Sequence, residues 1–264
     1  MHPETTITAG DAPVLVSRAD GLMTITLNQP RRKNAIPVQG WAPLRDAFSS
    51  VRLGADRVVV VTGAGEDFCA GADLSDVSSE SHSLVAMSVV TDACLALHRI
   101  PVPTVARVDG VAVGAGMNLA LACDFVIASS RARFSEIFIK RGLSIDFGGS
   151  WLLPRLVGLH KAKELVLLGD ILSAQQAREL GVVGRVVPPG ELDAAVAELV
   201  ARLAAGPPMA AWLSKQMLND SFEMSLQQAL DAESRSQSVN LALDDAREAR
   251  DAFLEKRQPV FRGR

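Results

Sequence analysis

The chain has 264 residues, 48% of them apolar and 22% charged, with a formal net charge of −3 at pH 7. A chain of that length buries a core without staples, which excludes a disordered segment and a disulfide scaffold. The acidic balance argues against a nucleic-acid partner, since gripping phosphates needs a basic face. Cys69, Cys94 and Cys123 show no CxxC spacing and have no neighbouring histidine, so they read as reduced, intracellular and metal-free. With no tyrosine, the Tyr-Lys chemistry of short-chain dehydrogenases is excluded. No lysine precedes Ser or Thr, which excludes a Walker loop, and HExxH and GxSxG are also missing. The polar start MHPETTITAGDAP lacks the apolar stretch of a secretory signal, and no apolar run approaches the ~20 residues of a membrane span. The expectation is a cytoplasmic protein with no membrane partner.

In chain order, residues 1–12 read as a loose arm. Residues 14–17 and 23–27 are β-rich around Ala19-Asp20-Gly21, a hairpin signal. Residues 38–53 carry helical spacing, with Trp41, Leu44 and Phe48 on one side. Residues 57–62 form a buried strand, followed by a small-residue loop over 63–73 and a helix over 83–99. A second buried strand covers 104–108, a helix opens at Gly114-Ala115-Gly116, and a third strand covers 125–128. The middle therefore repeats strand, glycine-rich loop and helix, a structural repeat without a clean sequence period. After Pro188-Pro189 the chain turns helical, with segments over 191–203, 208–220, 225–243 and 244–256. Their apolar stripes suit packing on the core or on another subunit. The domain reading is an arm over 1–12, a core over 13–190 and a helical region over 191–264.

Two small-residue loops follow buried strands, FCAGADL at 68–74 and DGVAVGAGMNL at 109–119. Such loops let a ligand approach the backbone, and a helix start offers unpaired N–H groups. They equally serve as tight turns. A dinucleotide GxGxxG fingerprint fails, because Leu119 stands where its third glycine belongs.

Seven motifs in order carry a resemblance to a known family: TLNQP at 26–30 with RKNAI at 32–36, VVVTG at 59–63, FCAGADL at 68–74, VDGVAVGAG at 108–116, LACD at 121–124, GLSIDFGG at 142–149 and AFLEK at 252–256. Along essentially its whole length the sequence resembles the enoyl-CoA hydratase/isomerase, or crotonase, superfamily. The resemblance implies an α/β fold, a crotonase-like spiral of ββα units with a C-terminal helical trimerisation region. It further implies a homotrimer or dimer of trimers, and an acyl-CoA substrate in which coenzyme A is the thioester part; no tightly bound cofactor or metal is expected.

By motif position the resemblance places an oxyanion hole at the backbone N–H groups of Ala72 and Ala115. Proton removal from a thioester puts charge on its carbonyl oxygen, and each fixed donor can be worth ~3 kcal/mol there. It places Arg32, Lys33 and the backbone near Ala35 and Ala70 along coenzyme A. Phe253 and Lys256 correspond to residues that in many relatives reach the coenzyme A of a neighbouring subunit. Arg32 and Lys33 also suit a solvated loop, and Lys256 a solvated helix end.

Hydratases of this family use two glutamates, and here Asn118 and Phe138 stand at those two positions. Neither exchanges a proton at working pH. Asp146 stands where isomerase branches, the dienoyl-CoA and ring-epoxide phenylacetyl-CoA isomerases, carry their acid/base aspartate. Flanking Ile145 and Phe147 would desolvate it and raise its pKa. The alternative for Asp146 is a cap for the helix that follows. Glu136 is the competing carboxylate; on a helix, two residues from the vacant position, it would point elsewhere. Asp73 and Asp124 read as structural hydrogen-bonding groups, Cys69 and Cys123 as core, His98 as a helix flank and His82 as part of a mobile loop. The expected activity is double-bond isomerisation of an enoyl-CoA. Hydration and a non-catalytic acyl-CoA-binding oligomer are the alternatives.

Overall fold

The computed structural model describes residues 12–76 and 83–264, so nearly all of the predicted arm, and His82, lie outside the described residues. Strands β1 (Val14–Ala19) and β2 (Leu22–Leu27) pair antiparallel from Val14↔Leu27 to Ala19↔Leu22. The Asp20-Gly21 turn joins them with φ of 50° and 79°, which suits the twist of a two-residue hairpin. Helix α1 (Trp41–Ser49) is shorter than the periodicity predicts, because Pro37 begins a separate 3-10 turn over Val38–Gly40. Next come β3 (Val58–Gly63), α2 (Ser83–His98), β4 (Thr104–Val108), β5 (Val111–Val113), α3 (Ala115–Leu121), β6 (Phe125–Ser129) and β7 (Arg133–Ser135). A 3-10 turn over Ile137–Arg141 leads to α4 (Gly149–Val157), α5 (Leu159–Leu168), β8 (Leu172–Ser173), α6 (Ala174–Glu179) and β9 (Arg185–Val187).

The large sheet has the order β1-β2-β3-β4-β6-β9 and is parallel from β2 onward. Each new strand is added on the same side, so the chain advances as a spiral. A second sheet, β5-β7-β8, takes one strand from each turn of that spiral: β5 directly after β4, and β7 directly after β6. Residue Cys69, after β3, bridges to Ala112 on the same sheet. The expected ββα repeat is thus visible as paired strands with α2, α3 or α4 following. The three-residue strands β5, β7 and β9 and the two-residue β8 are not predicted by the sequence pattern, since such short segments have no period to read.

Alternation along the buried strands separates two cores. Met23, Ile25, Val59, Val61 and Ala106 pack with Leu44, Phe48 and Leu97 of the helices on one face. Val58, Val60, Val105 and Ile127 face the other way, against Leu192, Ala195 and Val196 of α7 (Leu192–Ala204). Each such side chain contributes about 1.5–3 kcal/mol by leaving water. α7, the first helix of the predicted helical region, therefore completes the sheet. α8 (Pro208–Asp220), α9 (Leu226–Ala242) and α10 (Asp244–Glu255) follow. Lys215 ties α8 down, donating to Asp124 at 2.7 Å and to the Val102 carbonyl at 3.0 Å. No residue of α9 is buried in the single chain. Among the described residues, no helix is long and apolar enough to cross a membrane.

Candidate active site

Two loops meet at the edge of the small sheet. Cys69 N–H donates to the Val111 carbonyl at 2.8 Å, and Val113 N–H donates back to the Cys69 carbonyl at 3.0 Å. One step on, Ile36 N–H donates to Gly71 at 2.8 Å and Asp73 N–H donates to Ile36 at 2.9 Å. Among the described residues, this register leaves the Ala72 N–H, between them, with no protein acceptor. The Ala115 N–H, first in α3, has none either. Two glycines make this approach possible. A Cβ on Gly116 would run into the Cys69 carbonyl, and one on Gly71, at φ 91°, would stand 3.0 Å from the Val113 carbonyl oxygen. Ala72 and Ala115 line one cavity of about 480 Å³, together with Ala70, Phe138, Leu143 and Asp146. The free donors predicted from the motifs thus open on the same space as the predicted acid/base.

Two carboxylates line that cavity, and their surroundings differ. Asp73 pairs with Arg32 and accepts from the Ser75 hydroxyl at 2.7 Å; these contacts hold it below the usual carboxylate range. Asp146 forms no ion pair among the described residues, and burial pushes its pKa up to about 6. Its Oδ1 is buried without a hydrogen-bond partner. Asp146 does not cap α4: the cap position is Gly148, and no side chain bonds the first turn. The backbone aims Asp146 instead. Phe147 takes a left-handed φ of 45°, a conformation costing a bulky residue about 1–3 kcal/mol, and its ring is held against Trp41 at 5.7 Å.

Asn118, at the vacant first glutamate position, holds this turn. It is fully buried and donates from Nδ2 to the Asp146 carbonyl at 2.9 Å. Gly149 has to be bare because a Cβ there would collide with the Asn118 amide. Phe138, at the second position, fills part of the cavity wall with carbon.

The expectation for Glu136 needs correction. It is not on a helix: it precedes the 3-10 turn with φ −82° and ψ 61°, so the helical rotation that would turn it away does not apply. The carboxylate is instead turned inward and only 1% exposed, with Asn118 Nδ2 at 3.4 Å. Burial, with a smaller contribution from the neighbouring Asp146 charge, pushes its pKa to about 8, despite the opposing bond from Asn118. It lies behind the wall and does not line the cavity.

Of the residues expected along coenzyme A, Arg32, Ala35 and Ala70 line the cavity. Arg32 is already engaged by Asp73 and by Ser75 at 2.7 Å. Lys33 does not line it; its carbonyl accepts from the Ala70 N–H at 2.9 Å, so its backbone braces the loop while its side chain is exposed. Phe253 is 81% exposed on α10, and Lys256 follows it at φ 56°; neither lines the cavity of its own chain. Sequence reasoning missed Asn34. Buried at φ 55°, it accepts from the Gln29 N–H at 2.9 Å and donates to the carbonyls of Ala64 and Asp67 at 2.9 and 2.6 Å. Its signal was an asparagine, the residue that tolerates left-handed backbone, inside a small-residue motif. Cys69 and Cys123 are core residues, their thiols pushed up to about 12 by burial. Asp124 accepts from the backbone and hydroxyl of Thr104 at 2.7 and 2.8 Å, the structural role expected of it.

Comparison with known proteins identifies the family. The chain is 39% identical over 251 residues to the 1,2-epoxyphenylacetyl-CoA isomerase of Escherichia coli, covering 92% of this chain and 96% of that protein. It is 34% identical over 255 residues to the 2,3-dehydroadipyl-CoA hydratase of the same organism, covering 95% and 99%. A crystal structure of an enoyl-CoA hydratase from Bacillus anthracis superposes with a TM-score of 0.89 at 32% identity, covering 96% of this chain and all of that one, so the crotonase fold is shown. Residues 17–264 match the enoyl-CoA hydratase/isomerase family, and the chain belongs to that family.

Proposed function

We propose that the protein isomerises the double bond of an enoyl-CoA, with Asp146 as the single proton-shuttling group. The observation that carries this reading is the contrast between the two carboxylates lining the cavity. Asp73 is neutralised by Arg32, whereas Asp146 is desolvated, unpaired and poised near 6. A base with that pKa is ionised at neutral pH and still returns its proton readily. In a 3-enoyl thioester Asp146 takes a proton from the carbon next to the carbonyl. The C–H electron pair moves into the conjugated system and the charge settles on the thioester oxygen. The N–H groups of Ala72 and Ala115 meet that oxygen without reorganising. The proton returns two carbons away, giving the 2-enoyl thioester with no change in composition.

In this reading Arg32 and the backbone at Ala35 and Ala70 hold the coenzyme A portion. Phe253 and Lys256 serve the site of a neighbouring subunit in a trimer or a dimer of trimers, which accounts for their exposure in the single chain. The relative acting on 1,2-epoxyphenylacetyl-CoA supports isomerisation, and the 2,3-dehydroadipyl-CoA hydratase gives hydration as the second reading. A panel of trans-2-, cis-3- and trans-3-enoyl-CoA thioesters separates them. Followed by ultraviolet absorbance and mass, isomerisation converts the 3-enoyl substrates at constant mass. Hydration of the 2-enoyl thioester adds one water, and binding without turnover of any thioester would leave only the non-catalytic alternative.

A further inference from the structure

At and behind the cavity wall, three buried acceptor atoms have no hydrogen-bond partner among the described residues: Oδ1 of Asn118, Oε1 of Glu136 and Oδ1 of Asp146. They stand close together: Asn118 Nδ2 reaches Glu136 Oε2 at 3.4 Å and the backbone carbonyl of Asp146 at 2.9 Å, and the Asp146 charge acts on Glu136. Folded proteins leave few buried polar atoms unsatisfied, so three around one amide call for a physical account. A carboxylate can only accept hydrogen bonds, whereas a carboxylic acid also donates one. A proton on Glu136 would supply one donor to this surplus of acceptors.

We infer that Glu136 is a positioning residue that keeps its proton while the enzyme works, donating into the gap beside Asn118 and leaving Asp146 the only negative charge of the cluster. The inference rests on Asp146 being the base. The alternative state, with both carboxylates ionised, places two like charges in a buried site; among the described residues the cations lining the adjacent cavity are Arg32, already engaged by Asp73, and Arg141. The groups around Glu136 bear this out. From α3 it meets the neutral Asn118, and from the turn before α4 it meets Asp146. Cys94 on α2 neighbours Asp146 and is held near 11 by burial and by that charge, so it stays neutral. Lys140 and Arg141 on the 3-10 turn are exposed, and Lys140 faces Asp170 at 3.5 Å. Among the described residues, no cation pairs with Glu136. Burial therefore governs its titration, and the result is a group that is neutral at pH 7 and ionised above about 8. Once ionised, it would raise the proton affinity of Asp146 and oppose the charge developing on the thioester oxygen. The alkaline limit of activity is thus set behind the wall, by a group that never touches substrate.

The experiment is the pH profile of kcat/KM for 3-enoyl-CoA isomerisation by the wild type, E136Q and D146N between pH 5 and 10. The wild type should rise through about pH 6 and fall roughly tenfold between pH 7 and 9, as expected of one ionisation near 8. E136Q should keep the acid limb and lose the alkaline fall. Carbon-13 NMR of wild-type protein labelled at its glutamate carboxyls gives a readout independent of turnover and of the variant's folding: one glutamate should titrate near 8. An alkaline fall that persists in E136Q, or a wild-type spectrum in which every glutamate is ionised at pH 7, would overturn the inference. D146N that keeps its turnover would overturn the base assignment, and this inference with it, whatever the NMR titration gives.

Discussion

The two walls of the cavity are built on different principles. One wall is backbone: the loops at 68–74 and 109–116 clasp each other through main-chain bonds, and their chemistry is two N–H groups that any residue could supply. The other is side chain: Asp146 and Phe138 line it, and the buried Asn118 stands behind them, holding the Asp146 carbonyl and reaching Glu136. In the proposed reading the backbone wall stabilises an enolate, and the side-chain wall decides where the proton goes.

The comparison breaks most sharply at Asp146. Asp146→Asn keeps shape and much of the polarity but cannot exchange a proton. It should lower kcat by roughly 10²–10⁴-fold with little change in thioester affinity, as read by steady-state kinetics and equilibrium binding. An equal rise in KM with kcat intact would move Asp146 to the binding side. The backbone wall should break differently. Gly116→Ala drives a methyl group into the Cys69 carbonyl, so it should cost about 3 kcal/mol and lower Tm by roughly 5–10 °C in calorimetry. Activity should fall with it, because Ala115 moves with the helix start.

Those two sites also mark how much was legible in the sequence. The four-valine run of β3, the strand β4 and the amphipathic tail read directly, since continuous apolar runs and helical spacing survive without knowledge of their partners. Ala72 and Ala115 follow from the family resemblance of the loop motifs, whose small residues suit a close backbone approach. β5 and β7 were not readable: their pairing depends on where the spiral places the preceding turn. Glu136 was misjudged for the same reason, because its direction is set by one ψ of 61° before a 3-10 turn, where helical periodicity no longer applies. Asn118 was read only as a missing glutamate, and its grip on the Asp146 carbonyl needed the fold.

That grip gives the next effect down. Asn118→Ala removes the 2.9 Å bond to the Asp146 turn and should cost about 1–2 kcal/mol of stability, with roughly a tenfold loss in kcat as the strained turn relaxes. Asn118→Asp tests the same wall by charge and should shift the acid limb of the pH profile upward, because a third carboxylate then faces Asp146.

The smallest expected effect concerns stability against pH. Asp146 and Glu136 both have folded pKa values, about 6 and about 8, above their ordinary values of 3.8 and 4.5. The native protein therefore holds protons that the unfolded chain releases. That contribution is complete below about pH 4 and is lost as pH rises through 6 and then 8. Thermal melts should show Tm declining from pH 5 to pH 8.5, and Glu136→Gln should flatten the upper part of that decline by a few degrees. A Tm that climbs over this range in the wild type would mean that the fold does not raise the pKa values of these two groups.

The most direct test of a single shuttling carboxylate follows the hydrogen itself. A 3-enoyl-CoA carrying deuterium at the carbon next to the carbonyl is turned over in ordinary water, and the product is analysed by mass and by deuterium NMR. One aspartate serving both carbons predicts a 2-enoyl product with no added water and with part of the deuterium reappearing two carbons away. A product heavier by one water molecule would contradict the account.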